Sequence, residues 1–401
     1  MNKYLIVIVC MMFFFSCSEE NNRVPGWDDP TIPGQVTIVD VTPLPGAVKL
    51  TYDLPAGTSL SYVKAECIIN GKLRQVKASV YTNTLTIEGF ADESTYIVNL
   101  YSVNRSEKAS EPVAVPVKPL TPPFQEVYKT LKLAEGWGGA FVSYQNPSEA
   151  DLGVHFIYVD SVGFWTHGES VFTKKTEGTI ATRGFKSKKT TFGVYLTDRW
   201  NNYTDTLVKD LIPRFEIEID RSTFNEVLGL PGDVMNWASN YYPRYLWDDK
   251  YESYPGCANA NTGEWPVSFT IDMGKEQGVL LSRMRIWQRG TQQIENFYLP
   301  QAYGDRNIRL FEVYGSMKPD PDGSWDSWTL LLDGEIKKPS GLPIGINSDE
   351  DIKQWKAGDE VEFPDGIPYV RYLRFKVKEV FSKQTQFITD EMKFWGQIND
   401  K

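Results

Sequence analysis

The stretch WPVSFTIDMG at residues 265–274 constrains the fold more than any other part of the chain. Its apolar residues alternate with polar ones, and this period of two predicts a β-strand that is buried on one face. The segment EMKFWG at 391–396 repeats the pattern near the C-terminus. Further alternating runs lie between them, at 282–288, 308–315, 328–332 and 369–377. Strands at such regular spacing predict an all-β domain, either a sandwich or a jelly roll.

The chain upstream of this domain contains many short alternating runs punctuated by Gly and Pro. We predict strands at 35–41, 48–52, 62–69, 84–87, 96–103 and 113–117. The pair Asn70-Gly71 favours a tight turn between two of them. About seven strands in roughly 90 residues indicate a sandwich of the immunoglobulin or fibronectin type III kind.

The upstream region also contains an internal repeat. GAVKLTYDLP at 46–55 matches GGAFVSYQNP at 138–147 in the positions of Gly, Tyr and Pro. We therefore predict two tandem sandwiches, at 32–119 and 124–213, joined by a Pro-rich segment that restricts the backbone. Neither sandwich contains a grouping of residues suited to catalysis.

Several single residues of these regions have plain structural interpretations. His155 lies in an alternating run and is expected to be a strand residue, since no second His or Cys stands at metal-ligand spacing. Trp200 is expected to pack onto its own sandwich. Cys67 and Cys257 fall in different predicted domains and are expected to be small buried residues that do not pair.

The N-terminus is a targeting segment. Lys3 precedes a short apolar run that ends at Ser16-Cys17, and the run is too short to cross a bilayer stably. The residues FFSC at 14–17 resemble a bacterial lipobox, which implies cleavage after residue 16 and lipidation of Cys17, although Phe14 replaces the favoured Leu. The alternative is an ordinary secretory signal with an incidental cysteine. Residues 17–31 are then a lipidated tether, and SEE at 18–20 resembles the acidic signal that exports Bacteroidota lipoproteins to the cell surface.

Charge limits the classes of partner. The formal net charge is −10 and no long basic block is present, so nucleic acid is excluded as a partner. Aromatic residues make up 13% of the chain, including 12 Trp and 21 Tyr. Sandwich cores account for most of them, but one aromatic segment has no strand or helix period.

That segment, at residues 237–254, interleaves aromatic with polar residues. Its aromatic members are Trp237, Tyr241, Tyr242, Tyr245, Trp247, Tyr251 and Tyr254. The lack of a period predicts long loops. Exposed aromatic rings with amides nearby suit sugars, whose apolar faces pack on rings while polar groups bind the hydroxyls. The alternative is that these rings plug the open side of a sandwich and pack on one another.

The C-terminal region resembles the discoidin, or coagulation-factor C-type, domain. The resemblance rests on the acidic pair DD at 248–249, WPVSFTIDMG, RIWQR at 285–289, FEVYGS at 311–316, RYLRFKV at 371–377 and EMKFWG. It covers residues 222–401 and implies a galactose-binding-like jelly roll, the architecture of carbohydrate-binding module family 32. The lipobox, the tandem sandwiches and this domain together resemble surface lipoproteins of Bacteroidota polysaccharide utilization systems, which capture glycans beside an outer-membrane importer.

The resemblance also implies sites. Family members often hold a structural Ca²⁺, and the matching positions here are Asp248, Asp249, Thr262 and Glu391; the alternative for Glu391 is a salt bridge to an arginine. The ligand is bound by loops at one end of the sandwich. The matching candidates are Trp237, Tyr241, Tyr242, Tyr245, Trp247, Tyr254, Arg289, Tyr298, Tyr303 and Trp325. Trp265 and Trp328 match aromatics that are structural in relatives.

These observations predict a non-catalytic protein of the outer-membrane surface that is lipid-anchored and binds a polysaccharide or oligosaccharide. A glycan importer is its expected neighbour. No common catalytic motif occurs in a suitable context, and with 52 acidic residues a carboxylate pair can always be found. Two alternatives remain open at this point: an adhesin that binds a protein, and an enzyme that acts on glycans.

Overall fold

The structure is a computed structural model, and it describes residues 30–57, 59–251, 256–289 and 302–399. By its internal contacts the chain divides into two compact units. One contains the described residues up to Leu133, together with Val142–Ile180 and Thr191–Lys209. The other contains Ala134–Phe141, Ala181–Thr190 and the chain from Asp210 onward.

The first sandwich consists of two antiparallel sheets, with strand orders β1-β2-β5 and β4-β3-β6-β7. Its strands are β1 (Thr37–Leu44), β2 (Ala47–Asp53), β3 (Leu60–Ile69), β4 (Lys72–Ser79), β5 (Thr84–Glu88), β6 (Tyr96–Asn104) and β7 (Val113–Val117). The inward-facing residues form one hydrophobic core that includes Tyr52, Phe90 and Cys67. Three strands packed on four in this order is the fibronectin type III arrangement, as the sequence predicted.

The second sandwich repeats the arrangement, with strand orders β8-β9-β12 and β11-β10-β13-β14. It follows helix α1 (Pro123–Tyr128), which begins with a proline at its first position. Its strands are β8 (Lys132–Gly136), β9 (Gly139–Gln145), β10 (Leu152–Val159), β11 (Trp165–Thr173), β12 (Glu177–Thr182), β13 (Thr190–Asp198) and β14 (Leu207–Leu211). The tandem all-β organisation predicted from the repeat is therefore correct.

Trp200 packs against the first sandwich, which precedes its own in the chain. A Cβ atom on Gly89 of the first sandwich would lie 2.9 Å from the Trp200 ring, so the indole rests on that glycine. The side-chain amide of Asn202 donates to the Gly89 carbonyl at 3.0 Å, and Arg74 donates to the Trp200 carbonyl at 3.2 Å. The prediction for Trp200 was wrong because its loop is held by the neighbouring sandwich. His155 is a strand residue, and Cys67 and Cys257 are buried and unpaired, as predicted.

The C-terminal domain is a larger sandwich of two antiparallel sheets. The four-stranded sheet has the order β15-β25-β19-β22, and the five-stranded sheet has the order β16-β18-β23-β20-β21. Its strands are β15 (Ile217–Glu218), β16 (Asn225–Val227), β17 (Cys257–Ala258), β18 (Val267–Asp272), β19 (Val279–Trp287), β20 (Ile308–Ser316), β21 (Thr329–Glu335), β22 (Asp359–Glu362), β23 (Tyr372–Val380), β24 (Ile388–Thr389) and β25 (Glu391–Ile398). Two 3₁₀ helices, Arg221–Thr223 and Pro243–Trp247, and helix α2 (Asp349–Ala357) lie in the connections. The architecture is the predicted jelly roll.

Strand β18 contains most of the stretch WPVSFTIDMG. It is buried on both faces, whereas the alternating pattern predicted burial on one face. Phe269 and Ile271 point into the core between the sheets. Thr270 points to the opposite face, yet it is also fully buried, and its hydroxyl donates to the Asp233 carboxylate at 2.6 Å. The alternating pattern therefore identified the core face, but a loop covers the other face.

Strand register defines the two ends of this sandwich. At one end Trp287 pairs with Glu391 in the four-stranded sheet, and Ile308 pairs with Val380 in the five-stranded sheet. The Gln288 side-chain amide donates to the Ile308 carbonyl at 3.0 Å and connects the end of β19 with the start of β20 there. The opposite end is marked by the pairing of Ser316 with Tyr372.

No helix in the part of the chain that the structure describes is long and apolar enough to cross a membrane.

Candidate functional site

The aromatic segment lies along the side of the C-terminal sandwich. Arg244 forms an ion pair with Glu226 on β16, the edge strand of the five-stranded sheet. A few residues later, Asp249 lies 3.6 Å from Lys393 on β25, in the four-stranded sheet. The segment therefore bridges the two sheets and closes the open side between them. This location differs from the predicted loops at the sandwich end.

A 3₁₀ helix, Pro243–Trp247, places the side chains of this segment on different sides according to their spacing. Pro243 opens the helix, where its missing N–H would have no partner anyway. Residues three apart lie above one another in a 3₁₀ helix. Pro243 and Leu246 are both buried, whereas Tyr242 and Tyr245 are both only partly buried. One side of the helix thus faces the core, and another side carries two tyrosines that are partly exposed.

Three of the predicted ligand-contacting aromatics face inward. Trp237 packs edge-on against Phe269 at 6.4 Å between ring centroids, and Trp247 packs edge-on against Phe224 at 5.8 Å. Tyr241 is buried in a small cluster with Ala258 and Ile388. Burial of Tyr241 corrects the prediction for that residue, whereas Trp237 and Trp247 are partly buried and use one part of each ring on the core.

Two of the predicted aromatics, Tyr242 and Tyr245, are partly buried, and one arginine contacts both rings. The Arg244 guanidinium carbon lies 4.4 Å from the centroid of the Tyr242 ring and 5.5 Å from that of Tyr245. The Arg244 side chain remains about half exposed, and Glu226 balances its charge. The arginine keeps both rings apart and ordered, and guanidinium donors remain beside them.

Sequence reasoning missed Arg244. The usable signal was its place between two tyrosines in YPRY at residues 242–245, directly after a proline that can begin a helical turn. On a short turn, an arginine next to two tyrosines can come within cation–π distance of their rings. Nothing in the sequence showed how exposed this turn is.

The predicted calcium position is occupied by an arginine side chain. Glu391 opens β25 and is fully buried, and Arg221 donates to its Oε1 atom. The same guanidinium donates to the Met392 carbonyl at 3.2 Å and to Asp249 Oδ1 at 2.5 Å. The Arg221 side chain is 7% exposed, so its positive charge sits among the carboxylates.

The donor set does not fit Ca²⁺. That ion takes six to eight oxygen ligands, and here a guanidinium already claims the Glu391 and Asp249 oxygens. Asp248 lies 3.6 Å from Lys250, and Thr262 is exposed on its loop. Among the residues described, no group of three or more His, Cys, Asp or Glu could hold a metal ion. The assignment of Asp248, Asp249, Thr262 and Glu391 to a metal was therefore wrong, and the alternative salt bridge of Glu391 is correct.

The environment of Glu391 also changes its acidity. Burial raises its pKa to about 8, Arg221 opposes that shift, and the nearby charges of Asp248 and Asp249 add to it. Within the described ranges, Glu391 Oε2 has no hydrogen-bond partner. For Asp249 burial also acts against the charge, but Arg221 and Lys393 outweigh it and lower the pKa. The cluster is a structural ion pair with one incompletely satisfied carboxylate.

Tyr303 belongs to the core. It is fully buried, its hydroxyl donates to Asp359 Oδ1 at 3.0 Å, and Trp355 packs edge-on against its ring at 5.2 Å. Its assignment to the ligand-contacting residues was therefore wrong. Arg289 is partly buried and lies two residues beyond the end of β19. Tyr254, Tyr298 and Cys17 lie outside the described residues.

Trp325 lies away from the other candidates. Its loop follows Ser316, at the end of the sandwich opposite Trp287 and Glu391. The indole covers the Arg374 guanidinium at 4.1 Å and is 39% exposed. The structure thus separates Trp325 from the site where the sequence placed it.

Trp265 and Trp328 have the structural roles that were predicted for them. The Trp265 indole N–H donates to the Lys378 carbonyl at 2.7 Å, and its ring packs against the core. Trp328 is buried.

Three family models match the chain, and together they cover most of it. DUF4959, a domain of unknown function, matches residues 33–119. DUF5126, also a domain of unknown function, matches residues 120–222. DUF5000, a third domain of unknown function, matches residues 247–396. No curated protein matches the chain.

Solved structures with similarity to the chain include a SusE-like protein, BT2857. It is 29% identical over 69% of this chain and 99% of its own, with a TM-score of 0.43. A two-domain fibronectin type III segment of chicken tenascin is 14% identical over 45% of this chain and 99% of its own, with a TM-score of 0.22. The chicken interferon gamma receptor alpha chain is 11% identical over the same shares, with a TM-score of 0.21.

Proposed function

We propose that this protein is a non-catalytic glycan-binding lipoprotein of the outer cell surface, and that Tyr242, Arg244 and Tyr245 form its principal glycan contact. The observation that carries the proposal is the sorting of side chains on the 3₁₀ helix Pro243–Trp247. Its buried side anchors the helix to the core, and the two tyrosines, which are partly exposed, lie beside a cation. The proposal puts the protein in the broad class of the SusE-like protein named above, but it rests on surface chemistry and not on that likeness.

The chemistry of this surface suits sugars. The apolar face of a pyranose ring packs on an aromatic ring, and nearby polar groups bind the hydroxyls. The guanidinium donors of Arg244 and the carboxylate of Glu226 supply both kinds of polar group. Because these two charges balance, we expect a neutral glycan to be preferred over an anionic one.

Burial raises the pKa values of three carboxyl groups among the described residues, those of Asp233, Asp359 and Glu391, and their placement does not support an enzyme. Both oxygens of Asp233 are already bound, by Arg374 and Thr270. Burial raises the pKa of Asp359 to about 7, close to the value of about 8 for Glu391. The two residues begin strands β22 and β25, on either side of β19. Asp359 faces the core under Tyr303, whereas Glu391 alternates with core residues Met392 and Phe394 and faces the other side. A glycosidase needs its two carboxyl groups across one cleft, which these residues do not share.

The N-terminal motif supports the proposed surface location. The lipobox-like sequence at residues 14–17 would place acyl chains on Cys17, and more than one chain is needed for stable anchoring. We expect Cys17→Ala to release the protein from the membrane fraction of cells. Retention of that variant in the membrane fraction would contradict lipid anchoring.

A second candidate function is protein binding, favoured by one face of the second sandwich. A β-bulge in β11 brings Trp165, His167, Ser170 and Phe172 to the same side of the sheet, because register shifts between His155 and Ile157. Phe172 is 74% exposed and Phe164 in the adjoining hairpin is 70% exposed. Exposed aromatics on a strand with no Lys or Arg are typical of protein interfaces.

Native gels that contain dissolved polysaccharides would test the glycan proposal. The full chain would be run in gels of amylopectin, arabinoxylan, galactomannan, laminarin and homogalacturonan. We expect retardation in at least one neutral gel and its loss in Tyr242→Ala/Tyr245→Ala. Tyr81→Ala is the matched control, because Tyr81 is almost fully exposed on the first sandwich.

Three outcomes are informative. Retardation that the control retains and the double variant loses would support the proposal. Equal retardation of all three proteins would place glycan binding elsewhere. No retardation in any gel, with Phe172→Ala reducing cross-links to a membrane protein in cells, would favour the second candidate.

A further inference from the structure

Two loops cover part of the outward face of the five-stranded sheet in the C-terminal domain, the face that points away from the core. The loops at residues 228–236 and 317–328 cross this face. The Val234 amide donates to the Ser268 carbonyl at 2.8 Å, and the Thr270 hydroxyl donates to Asp233 at 2.6 Å. Both contacts fasten the first loop to β18.

Arg374 clamps the two loops to each other. It lies on β23 between Leu373 and Phe375, which point into the core, so its side chain points outward. Its Nε donates to Asp233 Oδ1 at 2.7 Å, Nη1 to the Gly323 carbonyl at 2.9 Å and Nη2 to the Pro231 carbonyl at 3.0 Å. The guanidinium is 0% exposed and reaches both loops at once.

Two glycines show how closely the loops approach. A Cβ atom on Gly323 would lie 1.9 Å from the Pro231 carbonyl oxygen, and one on Gly232 would lie 2.9 Å from Arg374 Nη2. Both glycines also have positive φ angles, of 74° and 82°, which other residues rarely adopt. Substituting either glycine would separate the loops.

The clamp supports one exposed ring, that of Trp325. The guanidinium of Arg374 lies 4.1 Å from the indole centroid on one side, and Tyr314 packs at 4.6 Å between centroids. The rest of the indole is open to solvent, since the side chain is 39% exposed. An aromatic ring held by a buried guanidinium is already ordered, so a ligand would not have to bear the cost of ordering it.

Polar groups beside the ring alternate in charge. Lys376 lies 5.7 Å from the Trp325 centroid and 3.3 Å from Glu312. The Tyr314 hydroxyl donates to Glu312 at 2.9 Å, and Lys378 lies 3.1 Å from the same carboxylate. The surface therefore offers donors and acceptors with little net charge, which suits the hydroxyls of a neutral sugar.

We propose that Trp325, with Lys376 and Glu312, forms a second glycan contact on the outward face of the five-stranded sheet. The inference rests on the proposed function, because the same glycan would span both contacts. Glu226, which pairs with Arg244, lies opposite Ile271 in register and is therefore on the core side of the sheet edge, whereas Arg374 and Trp325 are on the outward face. A ligand that reaches both surfaces is a chain of several neutral sugar residues, and not a single sugar or its terminal unit.

The alternative to a glycan contact is that Trp325 only covers the buried ion pair beneath it. The indole shields the Arg374–Asp233 pair from water, and its exposure could be incidental. The two accounts differ in a measurable way. Covering predicts a loss of stability and no effect on binding, whereas a contact predicts weaker binding to long glycans by a protein that remains folded.

The test uses the full chain and the polysaccharide that retards it most among the five gel probes. Affinity would be measured by titration calorimetry for that polymer and for short oligosaccharides made from it. We expect Trp325→Ala to weaken polymer binding by roughly 30-fold, the effect of losing a contact of about 2 kcal/mol. Binding of the shortest oligosaccharide that Tyr242 and Tyr245 hold should change by less than about twofold.

Two further variants keep the test decisive if Trp325→Ala is unstable. Trp325→Phe retains a ring and should keep most of the polymer affinity, and Lys376→Ala removes a polar neighbour that the clamp does not use. Thermal unfolding would establish that each variant is folded. Unchanged polymer affinity in both Trp325→Ala and Lys376→Ala would overturn the second contact.

The two proposals fail in different ways. Polymer binding that needs Tyr242 and Tyr245 but not Trp325 would leave the proposed function intact and overturn this inference. Polymer binding that needs Trp325 but not the tyrosines would overturn Tyr242–Tyr245 as the principal contact. No polymer binding by the unaltered chain would overturn both.

Discussion

Two buried arginine–carboxylate pairs of the C-terminal domain, Arg374–Asp233 and Arg221–Glu391, differ in how completely their charges are satisfied. Arg374 uses its donors on Asp233 and on two backbone carbonyls, while Thr270 binds the second Asp233 oxygen. Arg221 also binds two carboxylates and a carbonyl, but Glu391 Oε2 has no partner in the described segments. A buried charge is tolerated when every polar atom around it is bound, and is costly otherwise.

The two pairs have different structural roles. The satisfied pair holds two loops in one arrangement and supports Trp325. The less satisfied pair ties the start of the domain, at Arg221, to its final strand, where Glu391 can neutralise itself by taking a proton. Burial raises the pKa of both Asp233 and Glu391, so the two pairs differ in how completely their oxygens are bound and not in whether they can take up a proton.

The largest effect is expected from Arg374→Met. It leaves Asp233 buried without its partner, and removing one member of a buried pair costs about 3–5 kcal/mol. Chemical denaturation would measure the loss of unfolding free energy. Adding Asp233→Asn to the same chain should recover part of the loss, because no lone buried charge remains. A loss below about 1 kcal/mol would mean that the pair does not hold the loops.

The second effect is a dependence of stability on pH that comes from Asp359. This residue, like Glu391, is a buried carboxylate with an unpartnered oxygen among the described residues. Burial raises its pKa from 3.8 to about 7, so the folded state holds its proton more tightly than the unfolded state. The stabilisation is complete below about pH 4 and is lost as pH rises through about 7, by roughly 4 kcal/mol. Asp359→Asn should flatten this decline in melting temperature between about pH 4 and pH 8. An unchanged slope would contradict the shift.

A smaller loss is expected from Arg221→Met, about 1–2 kcal/mol near pH 6, because Glu391 can protonate and Asp249 is largely exposed. The loss should grow toward pH 8, where Glu391 would have to carry its charge. Denaturation at both pH values would measure it. If this variant loses as much as Arg374→Met at both pH values, the contrast between the two pairs is wrong.

The smallest effect is expected from metal removal. Because Arg221 supplies the positive charge beside Glu391, a chelator or added Ca²⁺ should shift the melting temperature of the unaltered chain by less than about 1 °C. Differential scanning calorimetry would measure this. A rise of several degrees with Ca²⁺, abolished by Glu391→Gln, would restore the metal assignment that the sequence resemblance implied.

The sequence by itself determined the architecture. Alternation in WPVSFTIDMG identified the core face of β18, and the repeat of GAVKLTYDLP in GGAFVSYQNP identified two related sandwiches. These features are local or periodic, so one chain segment contains the whole signal. For the same reason Trp265, His155 and the two buried cysteines were interpreted correctly.

The tertiary structure alone decided which residues of the candidate site face solvent. Trp237 and Tyr242 look equivalent in the sequence, yet one packs on Phe269 and the other stands beside Arg244. Trp325 was separated from them by the direction of β20, and Arg221 was brought to Glu391 across 170 residues. Such contacts join distant segments, and a sequence pattern carries no information about which partner satisfies a buried charge.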